Sequence, residues 1–128
     1  MYALIIDDSR AMRRILRQIV QPLGFDILEA GDGQQGLDQL AAHPDEIELT
    51  LVDWNMPVMN GLEFVKRVRS DAGYADMKLM MVTTETEPAQ MARALMAGVD
   101  EFVMKPFTAD ILVEKLRLIG VQCLDCTG

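Results

Sequence analysis

Asp7 and Asp8 stand side by side directly after the apolar run ALII, and Asp53 directly follows LTLV. Thr83 and Thr84 follow LMMV, and Lys105, itself followed by Pro106, ends FVM. Clustered carboxylates raise one another's pKa, so three in one crevice need a counter-charge. A hard divalent cation meets that need, since Mg2+ is held by few carboxylates plus waters and phosphate oxygens. A carboxylate beside such a cation is a workable nucleophile toward phosphorus and yields an aspartyl-phosphate. An ammonium and a hydroxyl could hold the remaining oxygens of the transferring group. Taken singly, each residue has an ordinary reading. Asp8 or Ser9 can cap a helix, Lys105-Pro106 can mark a strand exit, and Thr83 suits a strand.

The elements that must position these groups come next. Strand-like runs at Ala3–Ile6, Phe25–Ala30, Leu49–Val52, Met77–Val82 and Glu101–Met104 alternate with helix-like patterns. Met12, Ile15, Leu16, Ile19, Val20 and Leu23 share one face of a first helix stopped by Gly24. Arg10, Arg13, Arg14 and Arg17 fall on its other face, read as solvated. A weaker second helix runs from about Gly33 to Ala42, and Asn60-Gly61 starts a third with Leu62, Val65 and Val68. The fourth offers Met91, Ala92, Leu95 and Met96 before Gly98, and the fifth Ile111, Leu112, Leu116 and Ile119 before Gly120.

Alternating β-α units with near-continuous apolar strands predict an α/β parallel sheet covered by helices on both faces. For five strands the expected arrangement is the doubly wound (βα)5, flavodoxin-like three-layer sandwich, sheet order 2-1-3-4-5. Strands 1 and 3 are then neighbours at the topological switch point, where ligands bind beyond the carboxyl ends of the strands. Asp7, Asp8 and Asp53 converge there, with Thr83 and Lys105 on the same edge.

The 128 residues suit one domain with a real core. The net charge of −8, from 12 Lys and Arg against 20 Asp and Glu, argues against binding a nucleic-acid backbone. No apolar run approaches a membrane span and no signal peptide is evident, so the expected location is cytoplasmic. Both cysteines, Cys123 and Cys126, lie in the last six residues and give no disulfide framework. Their C-x-x-C spacing lacks the four ligands of a zinc site, because the single histidine, His43, is distant in sequence. The ten methionines read as core filler.

IIDDS, DWNMPVMNG, MMVTTE and FVMKPFT, in this order and spacing, resemble the receiver domains of two-component response regulators. The resemblance runs from about Ala3 to Gly120, and DWNMP with KPFTADILVEKL brings it nearest the stand-alone chemotaxis members. It implies a receiver domain over 1–122 and a tail over 123–128 without a family counterpart. It implies Asp53 as phospho-acceptor from a histidine kinase, with Mg2+ (or Mn2+ in its place) held by Asp8, Asp53, the main-chain carbonyl of Asn55, and Asp7 through water. Thr83, with Thr84 beside it, would bind the phosphoryl group, and Lys105 would pair with it across a cis Lys105-Pro106 bond. Asn55 and Glu85 would tune dephosphorylation. Phe102, where members often carry tyrosine, would turn inward with Thr83. That movement would reshape the face of helix 4, strand 5 and helix 5 for a target such as the flagellar motor switch. A phosphatase is a further implied partner, and a monomer or weak dimer the implied state.

Three other functions compete. A haloacid-dehalogenase-like phosphatase needs a second acid two residues after the nucleophile, where this chain has Asn55. An FMN carrier needs a phosphate loop after strand 1, where two aspartates would repel the phosphate. A receiver cut from a larger transcriptional regulator remains an open alternative on sequence grounds.

Overall fold

The computed structural model describes residues 1–84 and 87–121. Five strands, β1 (Tyr2–Ile6), β2 (Asp26–Ala30), β3 (Ile47–Val52), β4 (Lys78–Thr83) and β5 (Glu101–Met104), form one sheet. All pairings are parallel, in the order β2-β1-β3-β4-β5. The helices are α1 (Arg10–Val20), α2 (Gly33–Ala42), α3 (Gly61–Arg69), α4 (Pro88–Ala97) and α5 (Ala109–Leu118). The order expected from the strand count is the one observed.

Alternation along each strand splits the core in two. Leu4, Ile6, Val52, Leu79 and Met81 face a layer with Leu40 of α2, Phe64, Val65 and Val68 of α3 and Ala94 of α4. Ala3, Ile5, Leu49, Leu51, Met80, Val82 and Val103 face Leu16 and Val20 of α1 and Leu112 and Leu116 of α5. Both strand faces are therefore dry, which is why the strands read as unbroken apolar runs. Each fully buried Leu, Ile or Phe contributes about 1.5–3 kcal/mol of transfer free energy.

Three helices differ from expectation. The α-helical part of α1 ends at Val20, and a 3-10 turn over Gln21–Leu23 carries the chain to Gly24 at φ 108°. Pro22 within that turn has no N–H to continue an α-helical ladder, which accounts for the tightening. Ile15 on α1 and Ile111 on α5 are exposed rather than buried. The larger correction is in α4, where Leu95 is 47% and Met96 88% exposed and Ala92 is exposed too. Ala94 is the buried residue of that helix. A stripe through Met91, Ala94 and Ala97 turns inward, with Ala94 buried and the other two half-buried, and the longer Leu95 and Met96 turn out.

Candidate functional site

The carboxyl ends of β1 and β3 meet side by side, with Ile6 paired to Val52. The next residue on each strand is an aspartate, and Asp53 N–H donates to the Ile6 carbonyl at 3.0 Å. Asp7 is 1% and Asp53 7% exposed, whereas Asp8 faces solvent. One carboxylate oxygen from each of Asp7, Asp8 and Asp53 lies within 4.8 Å of the others. Lys105 arrives from the end of β5, its N–H donating to the Thr83 carbonyl at 2.9 Å. Its Nζ sits 2.9 Å from Asp7 Oδ2 and 3.4 Å from Asp53 Oδ2. The Lys105-Pro106 peptide bond is cis.

Local hydrogen bonds aim the two buried acids. Asp7 Oδ1 accepts from Ser9 N–H at 2.8 Å, and Ser9 Oγ in turn caps α1 by accepting from Met12 N–H at 3.2 Å. Asp53 Oδ1 accepts from Trp54 N–H at 2.8 Å, which turns Oδ2 toward Lys105. Burial pushes the Asp53 carboxyl above its ordinary pKa. The Lys105 charge opposes that rise, Asp7 adds to it, and the Trp54 N–H opposes it. A carboxylate made harder to ionise by burial is one whose charge gains from a cation brought alongside.

The donor set fits a hard cation. Three carboxyl groups gather around the Lys105 ammonium, so the acids outnumber the cation that faces them, and all the donors are oxygens. A divalent ion with a preference for oxygen and retained waters suits that balance.

The remaining predicted residues lie around this centre at different depths. Thr83 is buried at the end of β4, and Thr84 and Asn55 are exposed just beyond β4 and β3. Phe102 is half-buried on β5 and lines a narrow apolar crevice with Trp54, Met81, Thr83, Met91 and Ala94. Lys115 of α5 holds its Nζ 6.0 Å above the Phe102 ring and 3.7 Å from Glu101 Oε1. Glu85, Cys123 and Cys126 lie outside the described residues.

Some supporting residues escape a reading of the sequence. Arg13 donates to the main-chain carbonyl of Asp7 and, through Nε, to Glu29 at 3.0 Å, while Arg17 pairs with Glu29 at 2.7 Å. These two arginines thus tie α1 to β2 behind the acids instead of lying on a solvated face. Periodicity marks them as polar, but nothing local shows that β2 supplies a carboxylate opposite.

Residues 3–117 match the response regulator receiver domain. Chemotaxis protein CheY1 of Helicobacter pylori is 43% identical over 120 residues, spanning 93% of this chain and 96% of that protein. The chemotaxis protein CheY homolog of Campylobacter jejuni is 47% identical over 118 residues, spanning 91% and 90%. Among solved structures, Vibrio cholerae chemotaxis protein CheY4 superposes with a TM-score of 0.84 at 31% identity, covering 92% of this chain and 97% of that one. With its five-stranded order and its strand-end acids, the chain belongs to the response regulator receiver domain family.

Proposed function

We propose that this chain is a phosphorylation-controlled switch of a chemotaxis-type two-component system, with Asp53 as the acceptor. One observation carries the reading: a buried aspartate at a strand end, two further acids within 4.8 Å, and Lys105 Nζ shared between Asp7 and Asp53. An Asp53 carboxylate oxygen attacks the phosphorus of a phosphohistidine and forms an O–P bond. The P–N bond breaks, and its electron pair leaves with the imidazole nitrogen, which takes up a proton. Asp8, Asp53 and the Asn55 carbonyl, with Asp7 through water, would hold Mg2+ (or Mn2+), which would supply charge neutralisation for the phosphoryl oxygens. Lys105 stabilises the same oxygens and Thr83, with Thr84 at the mouth, donates to them. Asn55 and Glu85 adjust how readily water reaches the aspartyl-phosphate.

The output follows from the position of Thr83 beside the crevice that Phe102 lines. Movement of Thr83 toward the phosphoryl group opens room for the ring, which alters the face of α4, β5 and α5. A target of the flagellar-switch kind reads that face, and a histidine kinase and a phosphatase complete the partners. Among the described residues no helix is long and apolar enough to cross a membrane; the proposed site of action is the cytoplasm, where the histidine kinase would present its phosphohistidine.

Phosphoramidate with Mg2+ tests the reading directly, because it phosphorylates without a kinase. Mass spectrometry should find one added phosphoryl group on the wild type, none on Asp53→Asn, and none after EDTA. Undiminished phosphorylation of Asp53→Asn would remove Asp53 as acceptor. Turnover of a phosphomonoester would point instead to a phosphatase.

A further inference from the structure

The loop between β3 and α3 carries a strained side chain that the acidic site does not use. Val58 has φ 68°, and Met59 N–H donates to the Pro57 carbonyl at 2.7 Å. A hydrogen bond across one residue of positive φ makes a γ-turn of the rare, strained hand. A β-branched residue is poorly suited to that backbone. The side chain gains no burial in return, since Val58 is 79% exposed.

The mount beneath it is fixed on both sides. Gly61 N–H donates to the Trp54 carbonyl at 2.8 Å and closes the loop. Met59, next to Val58, is buried so tightly on the start of α2 that a Cβ on Gly33 would lie 2.8 Å from Met59 Cβ. Asn60 Oδ1 then caps α3 by accepting from Glu63 N–H at 2.8 Å. Val58 is therefore an apolar knob on a rigid loop, in the same segment as Asp53.

The geometry points to Val58 as a docking contact for the protein that carries a phosphohistidine to Asp53. This rests on the acceptor reading above. Asp53 is recessed, so a donor must seat over the strand-end loops, and the β3–α3 loop is the one that leaves Asp53 itself. The complementary surface is an apolar patch beside the donor histidine. A side chain already held in place adds contact without an ordering cost, and burying a valine-sized group is worth about tenfold in affinity.

Two variants test it. Val58→Asn tolerates the left-handed backbone and removes the apolar knob, whereas Val58→Ile keeps it. Each is assayed with phosphoramidate and with the autophosphorylated histidine kinase that transfers fastest to the wild-type chain. Val58→Asn should lose about tenfold in kcat/KM with the kinase, carried by KM, with phosphoramidate rates within about twofold and a melting temperature equal or higher. Val58→Ile should keep kinase transfer. Unchanged kinase transfer in Val58→Asn overturns the contact, and so does an equal loss with both donors, which would mean that Val58 shapes Asp53 itself. A wild type that accepts from neither donor strikes the acceptor reading, and this contact falls with it.

Discussion

Gly61→Ala is the sharpest perturbation of the site that leaves every polar group in place. A Cβ on Gly61 would lie 2.2 Å from the Asp53 carbonyl oxygen and 3.0 Å from both the Asp53 carbonyl carbon and Trp54 Cα. All three are backbone atoms, so no rotamer relieves the clash. An ordinary contact needs about 3.4 Å, so α3 and the acceptor's own peptide must separate by about 1 Å. The obstacle is that both sides are tied, Asp53 N–H to the Ile6 carbonyl and Gly61 N–H to the Trp54 carbonyl. Overpacking of this kind costs about 1–3 kcal/mol, and a weakened loop hydrogen bond adds about 1 kcal/mol. The melting temperature should fall by roughly 8–15 °C. A nucleophile displaced by about 1 Å loses on the order of 100-fold in rate, so phosphorylation by phosphoramidate should fall much further than folding does. Gly36→Ala is the control: its Cβ would meet Ile6 Cδ1 at 2.5 Å and Phe64 Cε2 at 3.1 Å, both side-chain atoms. That variant should lose stability and keep its phosphorylation rate. If Gly61→Ala melts within 2 °C of wild type (about 0.5 kcal/mol) and phosphorylates within twofold, the reasoning is refuted.

Burial raises the Asp53 pKa, so the folded state holds that proton more tightly than the unfolded chain. The associated stability is complete below the unfolded value of about 3.9 and is lost as pH rises through the raised folded value. Asp53→Asn should therefore melt higher than wild type at pH 7 in EDTA, with the gap closing toward pH 4; a lower melting temperature at pH 7 would contradict the burial argument. Mg2+ at ten times its Kd should stabilise the wild type by about 1.4 kcal/mol and change the fluorescence of Trp54, whose main-chain N–H donates to Asp53 Oδ1. Asp8→Asn should weaken both responses, and a flat titration of the wild type counts against the metal site. Arg69 donates to the carbonyls of Gly98 at 2.9 Å and Tyr74 at 2.6 Å and to Asp100 at 3.0 Å. Arg69→Ala should cost about 2–4 kcal/mol and speed hydrogen exchange at Leu79, whose N–H rests on Asp100.

The helix faces show where local pattern stops being informative. Met91, Ala92, Leu95 and Met96 make a plausible apolar stripe, yet Ala94 is the residue that packs. Two stripes were available on α4, and the one packed against the rest of the core carries the smaller side chains. Arg13 and Arg17 read as solvent-facing because their partner, Glu29, lies on β2, beyond any local pattern. The close approach of Gly61 to Asp53 and the strained turn at Val58 have no compositional signature at all.

By itself the sequence determined the five strands, their order and the edge at which Asp7, Asp8, Asp53, Thr83 and Lys105 gather. Strands buried on both faces must be continuously apolar, and polar residues that end such runs must lie at the sheet's edge. Only the tertiary structure decided which oxygen of Asp53 faces Lys105, which side of α4 is buried, and that Val58 stands exposed at positive φ in the loop that leaves Asp53. Those outcomes depend on the shape and charge of a neighbour distant in the chain, and such a neighbour exists only once the sheet has assembled.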